Sequence, residues 1–207
     1  MISLFRIICC LCLALAVSSH GQELMGGEIV LQQASKDSAQ AATQALGNEV
    51  LKQNFTYAVD KMYPRWLQRQ AKRMGSEVKL RKALEQVGEQ MDQAGITIDA
   101  FVAMPAGKAF HVHPKKKAGV KQIRTGNDVD YEILVIVPTE MKMSFYSQEQ
   151  AKRSFLRKSF QIAISKDAGL TWTFIDGSTL KKQDLRSIFP LLPQQLTLPE
   201  KVDTALN

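Results

Sequence analysis

His111 and His113 are the first residues whose type and spacing can do chemistry, because they stand two apart in a segment that alternates like a β-strand. Side chains at i and i+2 of a strand point to the same face, so both imidazoles can reach one zinc ion. A third ligand would come from a neighbouring element, the candidates being Asp99, Asp130 and Glu132. The lysines at 115–117 follow at once, and their charge opposes a divalent cation. The sequence therefore predicts no metal site and two histidines at a solvated strand end.

Acid–base catalysis is the second chemistry open to these side chains. It would need His111 beside Asp99 or Asp130 in an apolar pocket, where burial raises the pKa of a carboxyl group towards a useful range. Such a set suits a small isomerase or hydrolase. The chain, however, has no G-x-S-x-G nucleophile elbow and no G-x-x-x-x-G-K phosphate loop. The preferred prediction is a non-catalytic binding or interaction module without catalytic residues or cofactor, and the pocket enzyme is the alternative.

A ligand site in such a module would be a pocket between helices and sheet. Ligand pockets are lined mainly by apolar and aromatic groups, so aromatic side chains of the second helix and of the strands are the candidates. The candidate lining residues are Tyr63, Trp66, Phe101, Tyr131 and His111.

The segment from Ser165 to Trp172 reads S-K-D-A-G-L-T-W and resembles the Asp-box, S-x-D-x-G-x-T-W, at each defined position. Asp-boxes occur in sialidase-type propellers, a resemblance that would imply a glycosidase. The chain has one copy and no blade-length repeat, which favours a structural hairpin instead. In that hairpin Asp167 caps backbone N–H groups of the turn, Gly169 takes a positive φ, and Trp172 packs beneath the strands.

Positive charge is concentrated in two segments of a chain whose formal net charge is +7. Residues 61–82 hold eight Lys or Arg against one acid, Glu77, and residues 100–127 hold six with no acid. Such patches favour anionic partners, here an acidic polysaccharide, a lipid headgroup or a small acid. Nucleic acid is not predicted, because aromatic residues are not interleaved with the cations. A merely solvated positive surface is the alternative.

Residues 1–21 have the three parts of a secretory signal peptide. Arg6 precedes an apolar run of eleven residues, 7–17, and small or polar residues follow it. That run is too short to span a bilayer, which takes about 20 residues. All three cysteines, Cys9, Cys10 and Cys12, would leave with the peptide. The prediction is a periplasmic or secreted product with no thiol and no transmembrane segment.

The hydrophobic spacing of the remaining chain predicts helices first and antiparallel strands after them. A linker is predicted at 22–36 and a tail at 200–207, on either side of one domain at 37–199. Helices are predicted at 37–62, after Pro64, from an N-cap at Ser76 to Gly95, and at 181–188. Strands are predicted at 96–103, 108–113, 129–137, 141–145, 155–165 and 170–175, with Pro138 ending the third. This order predicts an α+β fold whose helices pack on one face of a curved antiparallel sheet.

The order of elements, together with the closing segment W-T-F-I-D-G at 172–177 and the chain at 191–199, resembles the cystatin-like roll of the nuclear transport factor 2 superfamily. The resemblance extends to exported bacterial proteins built on that roll. It implies a cone with a pocket between helices and sheet. Some members of the superfamily are isomerases or dehydratases, and many are binding or assembly modules. No catalytic motif of the enzymatic members matches this chain, so the resemblance assigns no site residue.

Overall fold

The computed structural model describes residues 27–114, 131–147, 150–194 and 196–206. The predicted signal peptide, its cysteines, Asp130 and the cations at 115–124 lie outside these ranges. Helices and strands follow one another in the predicted order, which confirms the α+β class. The elements are β1 (Glu28–Ile29), α1 (Gln33–Leu51), α2 (Phe55–Asp60), α3 (Pro64–Met74), α4 (Glu77–Glu85), α5 (Val87–Gln93), β2 (Ile96–Ala103), β3 (Ala109–Val112), β4 (Glu132–Ser147), β5 (Gln150–Ser165), β6 (Thr173–Asp176), α6 (Lys182–Ile188) and β7 (Val202–Leu206).

A long hairpin of β4 and β5, each of 16 residues, forms the centre of the sheet. On the free side of β4, β3 pairs with its first half and β2 with its second half. On the free side of β5, β7 pairs with its first half and β6 with its second half. β1 pairs with β3 on the side away from β4, and all these pairs are antiparallel. The sheet therefore has two halves that share one hairpin.

Pro138 lies inside β4, although the sequence predicts that it ends a strand. The described parts of the predicted strands at 129–137 and 141–145, from residue 132 on, belong to one continuous strand, whereas 129–130 lie outside the described residues. The Pro138 carbonyl accepts a 2.8 Å hydrogen bond from the amide of Met104, on the side of β4 away from β5. The N and C=O of one strand residue point to the same side, here towards the gap between β3 and β2. The missing N–H thus removes no hydrogen bond to β5, and the strand continues.

One half of the sheet consists of β3, the first half of β4, the second half of β5, and β6. Helices cover both faces of this half, whereas the sequence predicts helices on one face. Alternate residues of β4 enter two different cores. The first core, with α3 and α6, includes Tyr63, Trp66, Phe110, Leu134, Phe160, Ile162 and Leu185. The second core, with α1, includes Ala39, Leu46, Ile133, Val135, Ala163, Trp172 and Phe174. The apolar run at 133–137 has no polar face, so burying it requires a layer on each side.

The chain passes from one face to the other at the outer edge of β6. The amide of Phe174 donates a 2.8 Å hydrogen bond to the carbonyl of Lys61, and the amide of Tyr63 donates one of 2.8 Å to the carbonyl of Phe174. Residues before this point belong to α1 and α2, and α3 begins directly after it at Pro64, as predicted. The crossing segment therefore also covers the edge of β6.

Local signals account for most helix ends. Ser76 Oγ accepts a 3.1 Å hydrogen bond from the amide of Lys79, and Gly95 has φ 64°, which confirms both predicted ends. The single helix predicted between these ends is divided at Gln86 into α4 and α5, and the helix predicted at 37–62 is likewise divided, into α1 and α2. Gln53 has a positive φ of 60°, and Asn54 accepts a 3.4 Å hydrogen bond from the amide of Tyr57 at the start of α2. An N-cap residue inside a helical pattern explains the break.

Two segments that the sequence places outside the domain contribute to the sheet or to its helices. The predicted linker contains β1 and the start of α1, and the predicted tail contains β7. Asp203 of β7 forms a bidentate ion pair with Arg157 of β5. Nε and Nη2 of Arg157 donate to Oδ1 and Oδ2 of Asp203, at 2.8 Å and 3.0 Å. Short polar segments of this kind have no hydrophobic period, so pairing with a long strand decides their structure.

Candidate functional site

The five predicted pocket residues do not come together. Tyr63 and Trp66 are buried in the first core, on the face of the sheet covered by α3 and α6. Phe101 packs on the opposite face, against the second core. His111 and Tyr131 stack on each other at one end of the sheet, with ring centroids 4.0 Å apart. The five side chains therefore do not line one common pocket, because they take different faces and ends of the sheet.

His111 and Asp99, the candidate acid–base pair, also lie far apart. His111 is opposite Ile133 at the start of β4. The Asp99 carboxylate accepts a 2.5 Å hydrogen bond from Ser144, near the other end of β4 and on the opposite face. At about 3.3 Å per strand residue, the eleven residue steps from Ile133 to Ser144 correspond to roughly 35 Å along β4. Burial lowers the pKa of His111 and the neighbouring His113 lowers it further, which disfavours a charged imidazole.

Glu132, a candidate zinc ligand, is engaged in a buried hydrogen bond. Its Oε2 accepts a 2.8 Å hydrogen bond from the hydroxyl of Tyr63, which lies directly before α3. Its Oε1 is 3.6 Å from Nζ of Lys166, whose side chain is mostly exposed. Among the residues that the structure describes, no three His, Cys, Asp or Glu side chains are grouped so that they could hold a metal ion. The Tyr63–Glu132 pair joins α3 to the end of the sheet.

The hairpin that resembles the Asp-box uses its polar groups internally. Asp167 accepts hydrogen bonds from the amide and the hydroxyl of Thr171, at 2.9 Å and 2.6 Å. These two bonds, together with one from Ser165, lower the pKa of Asp167 to about 2. Gly169 has φ 94°, a conformation that favours glycine. The carboxylate is thus bonded within its own turn.

The same hairpin is attached to α1. Nε1 of Trp172 donates a 3.0 Å hydrogen bond to Oγ of Ser38, and Ser38 in turn donates one of 3.1 Å to the carbonyl of Gly169. Trp172 is buried in the second core. These contacts support the structural interpretation of Asp167, Gly169 and Trp172, since each takes part in holding the turn or the helix.

The cations of α3 lie on one side of that helix, and part of their charge is compensated. Arg65, Arg69 and Arg73 follow one another at spacings of four, and α3 itself has no acidic residue. Oδ1 of Asp184 in α6 is 2.7 Å from Nη2 of Arg69 and 3.4 Å from Nη2 of Arg73. One carboxylate therefore holds α3 against α6 and leaves the surface positive.

The turn between α3 and α4 combines positive charge with exposed apolar side chains. Met74 is 44% exposed and Val78 is 76% exposed. Three exposed lysines lie within the same stretch of eleven residues. We define the α3–α4 corner by these five residues: Lys72, Met74, Val78, Lys79 and Lys82.

The sequence indicates the positive charge of residues 61–82 but not the exposed apolar side chains between the lysines. Val78 lies one position outside the apolar stripe of α4, and Met74 is the last residue of α3. Three acids lie nearby: Glu77 and Asp60 both pair with Arg81, at 3.0 Å and 2.7 Å, and Glu85 is the last residue of α4. Exposed apolar residues next to unpaired cations would indicate such a surface in a sequence. Their exposure can be judged only when the helix boundaries are known.

Comparisons with family models, with curated proteins and with solved structures find no match to this chain. Within the described part of the chain, none of the helices has the length and apolar character needed to cross a membrane.

Proposed function

We propose that the protein is an exported, non-catalytic binding module that attaches to an anionic lipid surface through the α3–α4 corner. The observation that carries the proposal is the exposure of Met74 and Val78 between lysines. Attachment to a membrane surface generally needs two signals, apolar insertion and attraction to anionic headgroups. The α3–α4 corner offers both signals, at the end of α3 and along α4.

The charge of the corner supports a lipid surface as the partner. Lys72, Lys79 and Lys82 are exposed, and the nearby Glu77 is paired with Arg81. Each cation near an anionic leaflet contributes about 1 kcal/mol of binding free energy, and the attraction decays within a Debye length. Lys72 lies in the last turn of α3, Lys79 in the first turn of α4 and Lys82 in the last turn of α4.

The apolar residues distinguish a lipid surface from the other anionic partners. A polysaccharide or a small acid would use the lysines but would gain little from Val78 and Met74. Inserting the two side chains below the headgroups removes apolar area from water, at about 25 cal/mol per Å². Behind the corner, Asp184 of α6 pairs with Arg69 and Arg73 of α3.

Vesicle co-sedimentation tests the proposal. We expect binding to vesicles rich in phosphatidylglycerol, weaker binding to pure phosphatidylcholine, and loss of binding as salt rises. Lys79→Glu with Lys82→Glu should weaken binding at least about tenfold, and Val78→Ser should weaken it at all salt concentrations.

Matched controls keep the test specific. Lys142→Glu reverses one charge at an exposed position of β4 and is compared with Lys79→Glu alone, and Leu170→Ser removes an apolar side chain that is 82% exposed at the β5–β6 turn. Neither control should change vesicle binding. If the corner and control variants lose vesicle binding equally, the binding depends on net charge and not on the corner. Binding to soluble polygalacturonate without binding to vesicles would reject the lipid partner.

A further inference from the structure

The outer edge of β7 differs from two other outer edges of the sheet, because no described residue covers it. The edge of β2 is covered by α1, whose Gln44 accepts a 2.8 Å hydrogen bond from the Ala103 amide and donates one of 3.0 Å to the Phe101 carbonyl. The edge of β6 is covered by Lys61 and Tyr63. Unpaired edges promote pairing with another strand, and proteins generally protect them.

β7 is exposed along its whole length. It pairs with β5 on one side, and all five of its residues, 202–206, are exposed. Val202 and Leu206 point to the same face of the strand as Thr204 and are 46% and 37% exposed. An edge strand with two exposed apolar residues favours addition of a further strand.

We infer that β7 pairs antiparallel with β7 of a second copy of this chain, with Thr204 opposite its own equivalent. This register is self-complementary. It places Val202 opposite Leu206 of the other copy, twice, by two-fold symmetry. Directly opposed apolar side chains on one face of a sheet stabilise the pairing of strands.

The charges of the strand select the same register. A pairing centred on Thr204 places Asp203 opposite Ala205. A pairing centred on Asp203 would place the two Asp203 residues opposite each other. Asp203 is already bound to Arg157 of its own copy, and that pair lowers the pKa of Asp203. No unpaired carboxylate would therefore be brought into the contact.

The paired molecules would share one continuous sheet across the two β7 strands. The two-fold axis of an antiparallel strand pair is perpendicular to the sheet, so equivalent faces of the two copies lie on the same side. The inference goes beyond the proposed lipid attachment and does not depend on it, since β7 and the α3–α4 corner share no residue.

Molar mass measured by light scattering after gel filtration, over a range of concentrations, tests the inference. We expect the full chain to form a dimer. Val202→Lys and Leu206→Lys, each placing a cation on the edge at two symmetry-related positions, should raise the dimer dissociation constant at least about tenfold. Val102→Lys is the matched control: Val102 is 47% exposed and lies on β2, on the opposite edge.

Hydrogen exchange gives a second measurement. Those amides of 202–206 that point away from β5 should gain protection as concentration rises, and those of β2 should not. The inference is overturned if the wild-type chain remains a monomer at every concentration. It is also overturned if Val102→Lys dissociates the dimer as Val202→Lys does, since the contact would then lie elsewhere. Circular dichroism of each variant establishes that the fold is retained.

Discussion

The hydroxyl of Tyr63 donates a 2.8 Å hydrogen bond to the carboxylate of Glu132, and both side chains are buried. The pair connects the residue that precedes α3 with the first residue of β4. Tyr63→Phe removes the donor and leaves a buried carboxylate oxygen without its partner. We expect a loss of about 1–3 kcal/mol in the free energy of unfolding, measured by urea denaturation.

Alkaline pH should destabilise the protein through the same tyrosine. Burial, reinforced by the charge of Glu132, raises the pKa of Tyr63 above its ordinary value. The unfolded tyrosine ionises near pH 10, so its contribution is complete below that pH and is lost as the pH rises further. The fall in stability above about pH 10 should be smaller in Tyr63→Phe. An identical pH profile in both proteins would contradict this explanation.

Gly47 should tolerate no larger residue, because a Cβ at this position would lie 1.9 Å from the ring of Phe101. Gly47→Ala should destabilise the protein by about 1–3 kcal/mol through overpacking between α1 and β2, despite the better helix propensity of alanine. Gly27→Ala is the control, because its Cβ would meet nothing within 4 Å. Thermal denaturation of both variants checks the difference, and Phe101→Ala, which removes Cγ and the ring, should cost less stability in Gly47→Ala than in the wild type.

Asp167→Ala should destabilise the β5–β6 turn by about 1–3 kcal/mol near neutral pH, because Thr171 loses both of its hydrogen bonds to the carboxylate. The pKa of Asp167 is lowered to about 2, so its contribution is present above the unfolded pKa of about 3.9 and is lost as the pH falls towards 2. The gap in stability between wild type and variant should therefore narrow in acid. Asp176→Ala, in β6, serves as the comparison.

Gln44→Ala should expose the edge of β2. Both side-chain groups of Gln44 bind the backbone of β2, so the variant leaves the Ala103 amide and the Phe101 carbonyl to water or to another strand. We expect a loss of about 1–2 kcal/mol and faster hydrogen exchange at Ala103. Gln33→Ala, whose amide reaches only the exposed Asp37, should change neither quantity.

The sequence alone determined the α+β class, the start of α3 at Pro64, the cap at Ser76, the turn at Gly95 and the bonding pattern to expect around Asp167. These are local features. Hydrophobic period, proline, capping side chains and positive-φ glycines act within a few residues of the chain, so they can be recognised without knowing what packs against them.

Only the tertiary structure decided which residues meet. The apolar run of β4 indicates burial on both faces but not that α1 covers one face and α3 the other, and the aromatic candidates Trp66 and Phe101 lie on opposite sides. Likewise, Pro138 continues β4 because its nitrogen faces the gap between two partner strands, and β7 forms because β5 offers it a long edge. Contacts between distant segments depend on the register and sides that the folded sheet selects, and no local pattern encodes them.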